Sequence, residues 1–170
     1  MKKVFLTLIT ALIACMAMQA QITEFRQRHG QVKMIFRVID KSSVSIIGMS
    51  SASLNDHAPL VIPSTVYSPD GIQYNVVEIA TDARIGGGFT KVTIPRSIKQ
   101  IGPRAFSRCE YMGSVEIYGA SISEETFVHC QHLNQVIYHG EKWYRRHKNG
   151  KMELIDKLNT YGGPAYIVYK

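Results

Sequence analysis

The sequence reads VTIPRSIKQIGPRAFSRCEYM from Val92 to Met112 and VEIYGASISEETFVHCQHL from Val115 to Leu133. These two stretches repeat one pattern. Their opening valines are 23 positions apart and their cysteines 21, so the second copy is two residues shorter, which a turn can absorb. A period of this length, with apolar residues at fixed offsets, predicts a solenoid of stacked coils.

The apolar positions shared by the copies predict the inside of each coil. Each Val-x-Ile start alternates, so both apolar side chains leave the same face of a strand. The later positions would return along a short helical or 3₁₀ arm, and a degenerate earlier copy runs from Ile79 to Phe89. The predicted inward ladder is Val92, Ile94, Ile101, Ala105, Phe106, Cys109, Met112, Val115, Ile117, Ile122, Phe127, Cys130, Leu133 and Val136.

The repeats resemble the BspA-type leucine-rich repeat, whose pattern is approximately V-x-I-P-x-S-V-x-x-I-G-x-x-A-F-x-x-C-x-x-L. The first copy fits at nearly every position, whereas the second has Tyr118 in place of the proline and Thr126 in place of the alanine. VIPSTV at residues 61–66 and YNVVEIA at residues 74–80 resemble the family's entry segment, so the resemblance covers roughly Lys33–Gly140.

The resemblance implies a mainly β fold, a short solenoid of two good and about two partial coils, closed by N- and C-terminal β-hairpins. It also implies a role as an exported surface protein that attaches to other molecules. One coil cannot bury enough surface to stand alone, so the ends of the stack must be covered.

Residues 1–20 have the composition of an export signal. Lys2 and Lys3 precede an apolar run at residues 4–18, which is short for a membrane span. Cleavage after Ala20 is the favoured interpretation. Leu12-Ile13-Ala14-Cys15 also fits a lipobox, in which case Cys15 would carry a lipid and anchor the protein. The protein would thus be secreted, periplasmic or on the cell surface.

The remainder, residues 21–170, is predicted to be one leucine-rich-repeat domain. It would comprise an N-terminal cap hairpin and loop (21–59), the repeats (60–140) and a basic C-terminal cap (141–170). Removing Lys2 and Lys3 lowers the net charge from +7 to +5, which is basic but not extreme.

Local patterns place the strands of the two caps. Strands are predicted at Met34–Ile39 and Val44–Ile47, and the first solenoid strand at Leu60–Val66. Asn149-Gly150 is a strong hairpin signal, so Lys142–Ile155 is predicted to form a hairpin with a terminal strand, Ala165–Tyr169, beside it. A helix near Met152–Leu158 is the alternative.

The cysteines and histidines of the repeats do not predict a metal or redox centre. Cys109 and Cys130 share one repeat offset, so they should stack inward on adjacent coils; buried free thiols are favoured, and a disulfide is compatible with the spacing. His129 and His132 match outward positions of the first copy and would diverge from Cys130. We expect neither a metal nor a cofactor.

No catalytic residues are predicted. Gly86-Gly87-Gly88 lacks the Lys-Ser/Thr of a phosphate loop, and the sequence contains no G-x-S-x-G or H-E-x-x-H motif. An enzyme, for example a hydrolase acting on envelope or host polymers, is therefore the least supported function.

Two groups of residues are candidates for binding. The first lies between the ladder positions of the strands, where side chains point outward: Thr93, Glu116 and Ile137, flanked by Arg96 and Lys99. The second is the C-terminal cap, where seven Lys or Arg face three acids over residues 141–170. Its candidates are Trp143, Arg145, Arg146, Lys148 and Lys151, although a solvated hairpin explains the same composition.

These observations favour an exported, non-enzymatic recognition module that takes part in adhesion or protein–protein interaction. The partner would be a protein or glycan outside the cytoplasm. Nucleic acid is not expected, and a membrane only if Cys15 is lipidated. The alternative is a structural or accessory subunit of a cell-envelope assembly.

Overall fold

The computed structural model describes residues 23–51, 57–160 and 164–170, so the predicted export signal lies outside the described residues. Every regular element in these ranges is a β-strand, and none of them contains a helix able to span a membrane. The strands are β1 Glu24–His29, β2 Val32–Val38, β3 Ser43–Ser51, β4 Leu60–Val61, β5 Thr65–Tyr67, β6 Gln73–Gly86, β7 Lys91–Ile94, β8 Gln100–Ile101, β9 Ser114–Ile117, β10 Gln135–Tyr138, β11 Tyr144–Arg146, β12 Met152–Leu154, β13 Lys157–Asn159 and β14 Pro164–Tyr169.

The two sequence repeats form adjacent coils of a parallel sheet. Its strands run in the order β13-β14-β10-β9-β7-β4, and all neighbours from β14 to β4 are parallel. Val92 pairs with Val115, which pairs with Val136, so equivalent residues stack directly above one another. All three are fully buried, as period-2 alternation requires for a strand with one face in the core.

The return arms are successive turns, and the predicted short helices are wrong. Arg104, Arg108 and His129 adopt left-handed backbone conformations with φ of 55°, 61° and 61°, which interrupt a right-handed helix. N–H groups of these arms also bond between coils: Phe106 N–H donates to Thr126 O at 3.1 Å, and Arg108 N–H donates to Val128 O at 3.1 Å. These donors are therefore committed to the next coil.

Aromatic rings fill the space between the sheet and the return arms. The rings of Phe106 and Phe127 stack with centroids 5.5 Å apart, and both side chains are buried. Thr126, which replaces the alanine of the first copy, is also buried, and its hydroxyl accepts the Ser123 N–H at 2.9 Å. The local hydrogen bond satisfies the hydroxyl and makes this departure from the repeat pattern compatible with burial.

The N-terminal cap is larger than predicted. The hairpin is present as β2 and β3, but β1 precedes it and pairs with β2. β3 then pairs in parallel with the long strand β6, which joins the cap to the coils. The predicted strand Leu60–Val66 is wrong as one element, because it is split around Pro63. β4 belongs to the repeat sheet, whereas β5 pairs antiparallel with β6.

The C-terminal cap contains the predicted hairpin around Asn149-Gly150, formed by β11 and β12. The terminal strand, predicted beside this hairpin, contacts its base through Tyr169 but does not pair with it. Instead β14 pairs in parallel with β10 and antiparallel with β13, so it continues the repeat sheet. Ile167 pairs with Val136 and is buried. The alternating apolar residues of β14 therefore allow this strand to occupy the position of a further coil in the repeat sheet.

Candidate functional site

The outward face of the repeat sheet brings the first group of predicted binding residues together. Thr93 lies beside Glu116 in the strand register, and Glu116 lies beside Ile137. The same row continues to Val61 in β4 on one side and to Val168 in β14 on the other. Sequence reasoning therefore placed Thr93, Glu116 and Ile137 on one surface, although it did not show what surrounds them.

Glu116 is the centre of a polar cluster on this face. Its Oε1 accepts hydrogen bonds from the Tyr118 hydroxyl at 2.9 Å and from His139 Nε2 at 3.1 Å, and its Oε2 is 3.1 Å from Lys91 Nζ. The Glu116 side chain is 18% exposed. The hydrogen bonds from Tyr118, His139 and Lys91, in that order of size, lower the pKa of Glu116 from 4.5 to about 2.

Strand geometry explains how four residues from three coils converge. Glu116 and Tyr118 are two positions apart, so they leave the same face of their chain. Tyr118 N–H donates to Ile94 O, and His139 N–H donates to Ile117 O, which extends the ladder past the strand ends. The phenol of Tyr118 and the imidazole of His139 consequently stack on neighbouring coils.

Sequence reasoning missed Lys91, Tyr118 and His139. Tyr118 carried a signal, because it stands where the repeat pattern has proline. His139 lies one residue after β10, where the repeat pattern has already faded. Convergence on Glu116 depends on the register between coils, which no single copy reveals.

An exposed apolar strip lies next to the cluster. Val168 pairs with Ile137, and Tyr166 pairs with Gln135, so both belong to the outward rows of β14. Tyr166 is 59% exposed and Val168 37% exposed. The sheet face thus combines a fixed carboxylate with solvent-exposed apolar side chains.

The remaining residues predicted to bind do not lie in the Glu116 cluster. Lys99 Nζ donates to Arg96 O at 2.9 Å, so Lys99 folds back onto the turn after β7. Trp143 is half-buried, with its ring centroid 5.7 Å from that of Tyr138, and is not an exposed stacking surface. The other predicted cap residues, Arg145 and Arg146 in β11 and Lys148 and Lys151 beyond it, belong to a separate two-stranded sheet or its turn.

The repeat cysteines are free thiols in the core. Cys130 donates to Phe106 O at 2.8 Å, and Cys109 donates to Ile85 O at 3.5 Å. A hydrogen bond with Cys130, together with burial, raises the pKa of Cys109. Within residues 23–51, 57–160 and 164–170, no group of three His, Cys, Asp or Glu is arranged to hold a metal ion.

No protein-family model matches the chain, and no curated protein matches it either. Several solved structures, in contrast, do match the chain. A leucine-rich repeat protein from Bacteroides capillosus aligns with a TM-score of 0.51 and 23% identity over 66% of this chain and 80% of its own. This alignment confirms the leucine-rich-repeat fold that the sequence indicates.

Two longer proteins also align. A leucine-rich repeat protein from Bacteroides ovatus has a TM-score of 0.48 and 21% identity over 66% of this chain, and the match spans 29% of that protein. A leucine rich cell surface protein from Faecalibacterium prausnitzii has a TM-score of 0.40 and 20% identity over 66% of this chain, spanning 26% of that protein.

Proposed function

We propose that this protein is an exported, non-enzymatic recognition module that binds a protein or glycan outside the cytoplasm through the outward face of its repeat sheet. The observation that carries the proposal is the Glu116 cluster beside the half-buried Ile137 and the exposed strip of Tyr166 and Val168. Outward residues of a solenoid can be chosen for binding, because the core is built from the alternate positions.

The cluster suits binding better than catalysis. Both carboxylate oxygens of Glu116 already have partners: Oε1 accepts two hydrogen bonds, and Oε2 forms an ion pair with Lys91. The pKa of Glu116, about 2, is far from the neutral range that a general base requires. Conversely, three donors fix the orientation of the carboxylate. A fixed polar group loses little conformational freedom when a partner binds. Exposed tyrosine, such as Tyr166, is typical of binding surfaces.

The small size of the face suggests how binding would be organised. Five strands about 4.8 Å apart, each with about four residues in register at about 3.3 Å per residue, give a face of roughly 300 Å². A standard interface buries about 800 Å² on each partner. We therefore propose that attachment uses several copies of the module, or a second surface on the same molecule, so that modest affinities combine.

The test is binding of the chain from Gln21 onward to immobilised matrix proteins, mucins and sulfated glycans at low and physiological salt. This portion carries every described strand and the whole described core. The face variant combines Glu116→Gln with Tyr166→Ala. Its matched control combines Glu110→Gln with Ile72→Ala, which change an exposed carboxylate and an exposed apolar side chain elsewhere.

Saturable binding that the face variant weakens about tenfold or more, and the control leaves unchanged, would support the proposal. Binding equally strong in the face variant but lost when Arg146, Lys148 and Lys151 are changed to Glu would move the site to the C-terminal cap. Absence of binding to every immobilised molecule would overturn the adhesion proposal and favour an accessory subunit of an envelope assembly.

A further inference from the structure

The hairpin of β11 and β12 projects from the domain as a sheet of its own. Its base is fixed: Trp143 N–H donates to the Tyr169 hydroxyl at 3.3 Å, that hydroxyl donates to Ile155 O, and Ile155 N–H donates to Trp143 O at 2.9 Å. Trp143 and Ile155 pack against the core, whereas the described side chains of the arms are exposed. A two-stranded hairpin this exposed gains little stability from its own contacts.

One face of this hairpin is unusually apolar for an exposed surface. Tyr144 is directly opposite Leu154, and Arg146 is directly opposite Met152. Residues opposite one another, and residues two apart on one strand, share a face of a sheet. Tyr144 is 52%, Met152 50% and Leu154 38% exposed, so three large apolar side chains meet water together. Such clustering marks an interaction site more often than scattered exposed residues do.

Positive charge surrounds these apolar side chains. Arg146 shares their face, and Lys148 and Lys151 are exposed at the turn. Between residues 141 and 157 there are six Lys or Arg against three acids, and one of those acids, Glu153, lies 2.6 Å from His147. The hairpin therefore offers cations and apolar groups at one projecting end.

We propose that the β11–β12 hairpin docks on an anionic lipid surface. Tyr144, Met152 and Leu154 would enter the boundary between headgroups and acyl chains, while the basic side chains extend to the phosphates. Tyrosine is favoured at this depth because its ring is apolar and its hydroxyl stays hydrated. Each lysine or arginine near an anionic surface adds attraction that falls off within the Debye length.

The apolar side chains distinguish lipid from a sulfated glycan. A sulfated glycan would satisfy Arg146, Lys148 and Lys151 but offers no apolar interior for Met152 and Leu154. Lipid satisfies both halves of the surface at once. This attachment does not depend on lipidation of Cys15 or on the sheet face proposed for recognition, so it supplies a separate route to a membrane.

Vesicle sedimentation tests the inference with the chain from Gln21 onward. The vesicles contain equal parts phosphatidylglycerol and phosphatidylcholine, with pure phosphatidylcholine as the comparison. The charge variant is Lys148→Gln with Lys151→Gln, and its control, Arg26→Gln with Arg28→Gln, removes two exposed cations from β1. The apolar variant is Met152→Ser with Leu154→Ser, and its control is Ile39→Ser with Ile72→Ser, which are also exposed.

We expect binding to the anionic vesicles alone, weakened about tenfold or more by the charge variant and also by the apolar variant, and unchanged by the controls. Circular dichroism and thermal melting establish that each variant is folded. Absence of vesicle binding would overturn the inference. Full vesicle binding by the apolar variant would also overturn the inference, because binding would then depend on charge alone. A surface that binds sulfated glycans would behave in this way, and retention of the apolar variant on a heparin column would identify it.

Discussion

The imidazole of His139 stacks on the phenol of Tyr118, with ring centroids 4.2 Å apart and planes within 4° of parallel. The two residues belong to successive coils, so the stack repeats the vertical arrangement of the core on the outside of the sheet. Both rings also reach the same oxygen of Glu116. Since that oxygen accepts, His139 must carry a proton on Nε2, and its Nδ1 remains for other contacts.

Glu116→Gln should reduce stability in a pH-dependent way. The folded pKa of Glu116 is about 2 and its ordinary value is 4.5, so the unfolded chain takes up the proton first as the pH falls. The stabilisation is complete above pH 4.5 and is lost as the pH drops toward 2. Urea unfolding should show a deficit of about 1 kcal/mol in the variant near neutral pH.

That deficit should shrink as the solution is acidified, because wild-type Glu116 is then protonated as well. Glu110→Gln, at an exposed carboxylate, is the matched control and should change the free energy of unfolding little at any pH. A deficit in Glu116→Gln that stayed constant down to pH 2 would contradict the assignment of the low pKa to this residue.

Gly102 should tolerate no side chain. A Cβ at this position would lie 2.4 Å from the backbone N and 2.6 Å from the Cα of Thr81 on the preceding coil. Gly102→Ala must therefore push two coils apart, and we expect a loss of about 2 kcal/mol or more in the free energy of unfolding. Gly86→Ala is the control, since its Cβ would meet no atom within 4 Å. Equal melting temperatures for the two variants would refute this explanation.

Gly102 also shows where reasoning from the sequence reaches its limit. The repeat pattern has glycine at this position, but only the structure shows that the backbone of Thr81 passes too close for any other residue. Three features were predictable from the sequence: the repeat period, the buried alternation of Val92 and Ile94, and the hairpin at Asn149-Gly150. Each can be recognised from the order of residues along the chain alone. The close approach of Gly102 to Thr81 depends on how one coil lies on another.

Weak or non-local signals also explain why other features of the structure were not predicted from the sequence. β1 was missed because Phe25 is the only large apolar residue in Glu24–His29, so the alternation is too weak to recognise. The helical arms were predicted from irregular apolar spacing, but the left-handed φ of Arg104 and Arg108 carries no compositional signal, because arginine is not among the residues that favour this region. The Glu116 cluster was found only in part, because its partners come from other coils.

The thiols of Cys109 and Cys130 should be unreactive in the native protein. Both are buried, and the raised pKa of Cys109 leaves little of its own thiolate to react. The hydrogen bond with Cys109 lowers the pKa of Cys130, so the protection of Cys130 comes from its complete burial. An aromatic disulfide reagent should therefore label neither thiol until the protein unfolds, at a rate that follows unfolding. In concentrated guanidinium chloride without reductant, both thiols should react. Labelling of neither thiol under those conditions would reveal a disulfide and contradict the free-thiol state.

Tyr169→Phe should loosen the base of the projecting hairpin without disturbing the repeat sheet. The hydroxyl of Tyr169 bridges Trp143 N–H and Ile155 O, and its removal leaves both groups without this partner. We expect a loss of about 1 kcal/mol and stronger acrylamide quenching of Trp143, the single tryptophan of the chain. Tyr67→Phe, at an exposed tyrosine in β5, is the control and should alter neither quantity. Unchanged Trp143 quenching in Tyr169→Phe would show that packing of Trp143 against Tyr138 holds the hairpin without the hydroxyl.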